Sequence, residues 1–267
     1  MRKVIFMKKE IFGAALSALL FAGCCCDNYF KFKEVDPADY PVTAMKTTEK
    51  ITVDGKLDEK IWQQSQPCNL KFVPFFKGYG KALANVKKDK FQNAEIYLAY
   101  DKNYLYVAGR LYDEDIIQYD KNHQTHCYVN GDTFELFLKP KNKPYYWEIY
   151  VSPQNARSSF FYLSPGAVLT YGRHMDHFIK GMRSAVQIDG TLNDSDDRDK
   201  GWSFELAIPV KDLAVKGVPF DGKAPWQVLP ARYNYDVTFR YPQLSTYPPT
   251  PVAGNHLVEY YGDIQFK

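Results

Sequence analysis

The sequence predicts an all-β protein: an antiparallel β-sandwich in a single domain, with short helical insertions. Of the 267 residues, 16% are aromatic, with 21 Tyr and 18 Phe, and these residue types favour the half-buried surfaces of strands. Short segments with alternating apolar residues recur along the chain with turn residues between them, a pattern typical of sandwiches. The hydrophobic content of 45% and the charged content of 24% exclude disorder, collagen and coiled coil.

The first predicted element is an export signal over residues 1–23. A basic stretch from Arg2 to Lys9 precedes an apolar run from Ile11 to Gly23, which is shorter than the roughly 20 apolar residues that span a bilayer. Leu20-Phe21-Ala22-Gly23-Cys24 resembles the bacterial lipobox, so Cys24 is the predicted lipidation site. The alternative is an ordinary cleaved signal followed by a chance Cys. Acyl chains on Cys24 would hold the protein on a membrane of the cell envelope.

Residues 24–48 are predicted to be a tether because they are polar and interrupted by proline. The chain then divides into the signal at 1–23, the tether at 24–48 and a sandwich at 49–267. The net charge of +3 comes from the signal, because Arg2, Lys3, Lys8 and Lys9 stand there against Glu10. The rest of the chain is neutral, which argues against a nucleic-acid partner.

Turn residues separate the predicted strands of the sandwich. Asp54-Gly55 ends a strand at 51–53, and Asp101-Lys102-Asn103 joins strands at 94–100 and 104–112. A short helix is predicted at 57–64. The remaining strands are predicted at 132–139, 145–152, 184–188, 202–208, 227–240 with an interruption, and 263–266. Trp62, Trp147 and Trp202 are expected in the core.

Two glutamates share one face of the predicted hairpin at 132–152. Leu136 and Trp147 belong to the alternating apolar faces of its two strands. If they lie opposite each other, Glu135 lies opposite Glu148, whereas a shift of two residues keeps the faces and offsets the glutamates. Facing carboxylates repel, so a cation, an arginine, a shared proton or ligand hydroxyls would have to compensate. Exposure of both carboxylates to water is the alternative.

The glutamates share their face with Phe137, Tyr146 and Tyr150, which together make a polar and aromatic floor. Carboxylates accept hydrogen bonds from sugar hydroxyls, and aromatic rings stack on the apolar faces of pyranoses. A pair of carboxylates about 5–5.5 Å apart is also the arrangement of a retaining glycosidase, and neighbouring strands would meet that distance without any catalytic role.

Three other sets of residues could carry chemistry. Cys68 and Cys127 could form a disulfide in an exported protein or remain two buried thiols. Asp194, Asp196, Asp197 and Asp199 could bind calcium, although a solvated turn is favoured, so no cofactor is predicted. His174, Met175, Asp176 and His177 could be a metal or haem ligand set.

Several segments, taken in order, resemble family 9 carbohydrate-binding modules, which have a DOMON-like β-sandwich. The similar segments are Ile51-Thr52-Val53-Asp54-Gly55-Lys56-Leu57-Asp58-Glu59 with Trp62, Leu98-Ala99-Tyr100-Asp101, Gly131-Asp132-Thr133-Phe134-Glu135, Tyr146-Trp147-Glu148-Ile149, Asp199-Lys200-Gly201-Trp202-Ser203-Phe204-Glu205, Trp226 with Arg232, and Asn255-His256 with Tyr261-Gly262-Asp263. The likeness covers roughly residues 49–267.

The resemblance implies sugar binding without catalysis, by a protein that is not an enzyme. In the family, two tryptophans clamp the sugar; here Tyr128 and Tyr247 stand nearest to those places. Glu135 matches a sugar-binding carboxylate, Glu148 lies where some members carry arginine, and Arg232 is the expected counter-charge to both.

The sites implied in this way are therefore Glu135, Glu148, Arg232, Tyr128, Tyr146 and Tyr247 for carbohydrate, and Cys24 for lipid. The expected partners are a carbohydrate, the membrane and an unidentified glycoside hydrolase, in the setting of polysaccharide utilisation. The rival interpretations are a structural or assembly lipoprotein whose sugar site has degenerated, and a haem-binding electron carrier.

Overall fold

The computed structural model of the protein describes residues 35–73, 90–165, 175–239 and 241–267. The predicted signal and Cys24 lie outside these residues. Within them, no helix is both long enough and apolar enough to cross a membrane.

The described residues form fourteen strands and two short α-helices. The strands are β1 (Val42–Lys46), β2 (Cys68–Asn69), β3 (Lys71–Val73), β4 (Ala94–Tyr100), β5 (Tyr104–Tyr112), β6 (Thr133–Pro140), β7 (Tyr146–Val151), β8 (Arg157–Tyr162), β9 (Met175–Asp176), β10 (Arg183–Asp189), β11 (Gly201–Pro209), β12 (Trp226–Asn234), β13 (Gln243–Thr246) and β14 (Gly262–Phe266). The helices are α1 (Lys60–Gln64) and α2 (Val210–Leu213), and 3₁₀ turns occupy Pro37–Asp39, Cys127–Val129 and Val258–Tyr260.

The strands form two halves of one folded-over sheet. Sheet A runs β10-β11-β5-β4-β1, and β14 joins it to sheet B, which runs β12-β6-β7-β8-β9. The short strand β2 pairs with β4, β13 pairs with β12, and β3 pairs with β13. Most pairs are antiparallel, but β1 lies parallel to both of its neighbours, β4 and β14. The prediction was an antiparallel sandwich. The observed sandwich is antiparallel except at β1, so its sheet is mixed.

Strand β1 corrects the predicted tether. Val42 and Ala44 are fully buried in the core, and β1 is the strand that joins sheet A to β14. The polar and proline-containing sequence on either side of these five residues concealed the strand, because its pairing partners lie far away in sequence. The sandwich therefore begins before residue 49.

The main core lies between the two sheets and is built from the alternating apolar residues of both. Leu136, Trp147 and Ile149 of sheet B meet residues such as Phe204 and Leu206 of sheet A. Trp147, Trp202 and Trp62 are all buried, as predicted, although Trp62 belongs to a separate cluster on the outer face of sheet A.

The opposite face of sheet B carries a second buried cluster. Its apolar members include Phe137, Tyr146, Tyr150, Phe160 and Tyr261. Since side chains alternate along a strand, the even-numbered core residues of β6 leave Glu135 and Phe137 on this second face. The face is covered by the 3₁₀ turn Cys127–Val129 and by the segment before β14, which together frame the candidate site.

Two of the other predicted elements differ from the observed ones by more than a few residues. Residues 51–53 are not a strand, although Ile51 is buried. The segment predicted at 227–240 ends at Asn234, and β13 begins at Gln243. Strands β2, β3, β8, β9 and β13 were not predicted.

Candidate functional site

Glu135 and Glu148 project from neighbouring strands onto the second face of sheet B. The register of β6 and β7 pairs Glu135 with Tyr150 and Phe137 with Glu148. The predicted pairing of the two glutamates is therefore wrong by two residues, and they are diagonal neighbours instead. Diagonal positions lie roughly 7–8 Å apart at the backbone, so the two carboxylates still act on each other.

The carboxylates are enclosed, which contradicts the alternative that both are exposed to water. Glu135 is 1% exposed and Glu148 is 3% exposed. Asn255 Nδ2 donates a hydrogen bond of 2.8 Å to Glu135 Oε2, and the Tyr150 hydroxyl donates one of 2.5 Å to Glu148 Oε1. Two clefts of about 490 and 300 Å³ open elsewhere on the surface, and neither is lined by these glutamates.

His256 lies at the outer side of this pair. Its Nε2 atom is 3.9 Å from Glu148 Oε1, and its side chain is 28% exposed. Its Nδ1 atom is 2.8 Å from the Tyr146 hydroxyl. Asn255 and His256 thus connect the segment before β14 to both glutamates, and they close the site.

Each glutamate keeps one buried oxygen without a hydrogen-bond partner. These atoms are Oε1 of Glu135 and Oε2 of Glu148. Buried polar atoms are usually satisfied, and an unsatisfied one costs about 1–3 kcal/mol or more when charged. The two oxygens therefore mark a place where hydrogen-bond donors would be stabilising.

Burial controls the protonation of this site. Desolvation, followed by the charge of Glu148, raises the pKa of Glu135 well above its usual range, and the Asn255 hydrogen bond opposes this. Desolvation lowers the pKa of His256, while Glu148 acts in the opposite direction. The environment therefore favours a proton on Glu135 and disfavours one on His256.

Tyrosine rings surround the two carboxylates. We call the set the glutamate cluster; its members are Glu135, Glu148, Asn255, His256, Tyr128, Tyr146, Tyr150, Tyr162, Tyr233 and Tyr261. Burial, followed by the charge of Glu148, raises the pKa of Tyr162, and the Tyr261 hydroxyl donates to the Asn255 carbonyl at 2.8 Å. Tyr128 and Tyr233 stack with ring centroids 5.0 Å apart and are partly exposed. These two rings and His256 form the outer rim of the cluster.

Arg232 does not face the glutamates, which corrects its predicted role as their counter-charge. It is opposite Phe134 in the register of β12 and β6, whereas its neighbour Ala231 is opposite Glu135. Its guanidinium makes an ion pair of 2.8 Å with buried Asp113 and donates to the Tyr112 carbonyl at 2.8 Å. Arg232 thus stabilises contacts between the sheets and belongs to a different part of the molecule.

Tyr247 is also placed elsewhere. Its ring lies edge-on to Tyr40 at 5.6 Å, and its hydroxyl donates to the Pro41 carbonyl. It packs against the core between the sheets, so it does not supply an aromatic ring to the glutamate cluster. Tyr128 and Tyr146 do lie in the cluster, as expected.

Sequence reasoning missed Tyr162 and Tyr233. Tyr233 lies two positions after Ala231 on β12, so both side chains are on the face of Glu135, with which Ala231 pairs. Alternation would have predicted this position of Tyr233 if β12 had been recognised as the neighbour of β6. Tyr162 lies on β8, which was not predicted. Asn255 and His256 were noticed only through the family resemblance, because loop contacts have no periodic signal.

The structure places most members of the other candidate sets. Cys68 and Cys127 are separate buried thiols, not a disulfide, and burial raises the pKa of each to about 12. Asp199 is buried and accepts hydrogen bonds from the Ile116 and Thr191 backbone amides. No group of three or more His, Cys, Asp or Glu among the described residues is arranged to hold a metal. His174 lies outside these residues, and the His177 ring packs on Trp147.

Comparison with known proteins finds the same fold in carbohydrate-binding structures. No protein-family model and no curated protein matches the chain. A protein from Bacteroides uniformis, provisionally described as carbohydrate-binding, is 11% identical with a TM-score of 0.63, over 85% of this chain and 99% of that one.

Two structures of a family 9 carbohydrate-binding module from Caldicellulosiruptor kristjanssonii are also similar. The complex with cellotriose is 13% identical with a TM-score of 0.55, over 85% of this chain and 93% of that one. The complex with glucose is 14% identical with a TM-score of 0.53, over 85% of this chain and 95% of that one. The chain therefore has a family 9-like β-sandwich fold, which confirms the predicted fold class.

Proposed function

We propose that this protein binds carbohydrate without cleaving it, through the glutamate cluster on the second face of sheet B. The observation that carries the proposal is the pair of buried carboxylates, each with one unsatisfied oxygen, in a fold whose solved examples include complexes with cellotriose and glucose. Fold alone does not fix function, so the argument depends on the chemistry of the cluster.

The cluster offers the two kinds of contact that sugars use. Hydroxyl groups would donate to Glu135 Oε1 and Glu148 Oε2, which have no other donor. The partly exposed rings of Tyr128 and Tyr233 would pack against the apolar side of a pyranose. Because both carboxylates are enclosed, the ligand enters at the rim by displacing the His256 side chain, which is 28% exposed.

A role in catalysis is not proposed. A retaining glycosidase needs its acid and its nucleophile on either side of the scissile bond, with access for water. Here both carboxylates point from one sheet face into a closed cluster. Hydrolysis of an aryl glycoside by the wild type that is lost in Glu148→Gln would overturn this part of the proposal.

The experiment is a glycan array followed by calorimetry on the glycans that bind. We compare the wild type with Glu135→Gln, which removes the charge and keeps the shape, and with Glu259→Gln, an exposed glutamate of the adjacent 3₁₀ turn. We expect binding by the wild type and by Glu259→Gln, and a loss of about tenfold in Glu135→Gln, because the amide nitrogen that replaces a carboxyl oxygen cannot accept a sugar hydroxyl and a hydrogen bond contributes about 0.5–1.5 kcal/mol.

A specific observation favours the rival function, a structural or assembly lipoprotein with a degenerate sugar site. The side chains of Asn255 and His256 already occupy the approach to both carboxylates. If no glycan binds to the wild type and no sugar changes its thermal stability, the degenerate site is the correct conclusion. An absorption spectrum without a Soret band would exclude the haem-binding alternative.

We further propose export and attachment to a cell-envelope membrane through Cys24, with a role in polysaccharide or glycan utilisation. The support is the lipobox-like Leu20-Phe21-Ala22-Gly23-Cys24 after a basic and apolar leader. Metabolic labelling with palmitate should mark the wild type and not Cys24→Ser, and the variant should leave the membrane fraction. Equal labelling of both proteins would contradict the anchor.

A further inference from the structure

Among the described residues, no lysine or arginine forms an ion pair with either carboxylate of the glutamate cluster. In residues 35–73, 90–165, 175–239 and 241–267, the only ion pair of either glutamate is the 3.9 Å contact of Glu148 with His256. Arg232, the nearest arginine on the adjacent strand, pairs with Asp113 on the other side of the sheet. A buried charge without a partner is costly, so this site favours an incoming positive charge.

His256 supplies that charge poorly at neutral pH. Its pKa is lowered by burial, and a neutral imidazole brings no positive charge to the pair. The other titratable groups near the pair are the six tyrosines of the cluster, Tyr235, Cys127 and His126. Burial raises the resolved pKa values of the tyrosines and the thiol, so these groups are neutral. The His126 ring stacks on Phe160, with the centroids 4.4 Å apart, and lies 6.3 Å from the Tyr150 ring.

The shape of the site also suits an ammonium group better than a hydroxyl group. An ammonium has three donors, and two buried oxygens here lack a donor. Aromatic faces attract cations, and six tyrosines surround the pair. A neutral hydroxyl can satisfy the oxygens but brings no charge, whereas an ammonium can take the place of the proton that burial favours on Glu135.

We propose that the carbohydrate ligand carries a protonated amine, as in a glycan with free glucosamine units, and that this ammonium binds between Glu135 and Glu148 in place of His256. The inference rests on the proposed function and names the ligand class of that same site. The same electrostatics select against acidic glycans such as those containing uronate, and against the N-acetylated form, which has lost the charge.

The experiment is calorimetry at neutral pH with oligosaccharides of equal length that differ only at one position of each unit. The probes are chitosan tetramer, its fully N-acetylated counterpart and cellotetraose. We expect the chitosan tetramer to bind the wild type about tenfold more tightly than either neutral tetramer, since one ion pair supported by aromatic rings gives about that factor. The preference should disappear in Glu148→Gln and persist in Glu259→Gln.

The comparison of ligands on the wild type needs no variant, so a folding defect in Glu148→Gln cannot obscure it. If cellotetraose or the acetylated tetramer binds as tightly as chitosan tetramer, the ammonium inference is wrong and the proposed sugar binding stands. If none of the three binds and the glycan array is also empty, the proposed function itself fails. A preference for chitosan that survives Glu148→Gln with unchanged melting temperature would place the amine elsewhere.

Discussion

Arg232 is held by acceptors from several parts of the chain. Besides Asp113, its guanidinium donates to the Tyr112 carbonyl at 2.8 Å and to Asn234 Oδ1 at 2.5 Å. The side chains of Arg232 and Asp113 are both 0% exposed. Removal of the arginine therefore leaves a buried carboxylate uncompensated.

We expect Arg232→Met to lower the free energy of unfolding by about 3–5 kcal/mol. The matched control is Arg198→Met, because Arg198 pairs with Glu114 on the surface at 74% side-chain exposure and such pairs contribute less than about 1 kcal/mol. Urea unfolding of the three proteins measures the difference. Equal losses of unfolding free energy in both variants would show that the buried pair with Asp113 contributes no more than the surface pair with Glu114.

The raised pKa of Glu135 predicts that the stability of the protein depends on pH. Its pKa in the folded state is raised above the unfolded value, so the folded protein binds more protons and its stability falls as pH rises from about 4.5 towards the folded pKa. Glu135→Gln removes this loss. We expect the variant to be more stable than the wild type at pH 7, because its neutral amide has no proton to lose in this buried position.

At pH 4 the same variant should gain little, because the wild-type carboxyl is protonated in both states. Thermal unfolding at pH 4, 5.5 and 7 tests this, with Glu259→Gln as the exposed control. A gain that is equal at all three pH values would contradict the assignment. A gain in stability together with weaker sugar binding is the result expected of a residue retained for its ligand.

At the level of single strands, alternation predicted faces well and register poorly. Glu135 and Glu148 lie on the same face as Tyr146, opposite Trp147, as the sequence indicated. The register differs by two residues because such a shift exchanges no side chain between faces, so nothing in the hydrophobic pattern selects one register. The register is selected by the length and geometry of the turn after β6, and the hydrophobic pattern does not determine that geometry.

The position of Arg232 was predictable from the same rule and was missed. Arg232 is an even number of positions from Trp226 and Val228, which are core residues of β12. Parity therefore assigns Arg232 to the core side and Ala231 to the side of Glu135. The family resemblance indicated a role for the residue without using this information.

Strand β5 approaches its neighbours closely at Gly109. A Cβ atom added there would lie 2.4 Å from Cε1 of the Phe204 ring and 3.0 Å from Cδ1 of Ile96. Phe204 is fully buried, so its ring has little room to move. The glycine thus allows a phenylalanine on the adjacent strand to fill the core.

We expect Gly109→Ala to destabilise the protein by about 1–3 kcal/mol, the usual cost of overpacking. Phe204→Leu is expected to be destabilising through lost volume, but the double variant should lose less than the sum of the two. Urea unfolding of the four proteins gives this coupling. Strict additivity would show that the alanine methyl group does not meet the Phe204 ring.

At the scale of the whole molecule, the sequence predicted a sandwich but not how its halves are joined. Local alternation is sufficient for strands such as β4, β5 and β11, whose neighbours form hairpins or follow closely. Strand β1 pairs with residues about 50 and 220 positions away, since Ala44 lies beside Leu98 and Phe266. Pairing over such separations leaves no local signal in the sequence. For that reason β1 was included in the predicted tether at 24–48.

The junction formed by β1 and β14 is expected to be sensitive to a charge introduced in its buried part. Ala44 is fully buried in the core between the sheets, so Ala44→Asp introduces an unpaired charge where water cannot reach it. We expect a loss of more than about 3 kcal/mol. Lys46→Asp, at an exposed position of the same strand, is the control and should change stability by less than about 1 kcal/mol. Because β1 and β14 connect sheet A to sheet B, tryptophan fluorescence and far-ultraviolet circular dichroism should report one shared urea transition in every variant. Separate transitions for the two probes in Ala44→Asp would show that the sheets fold independently of the strand that joins them.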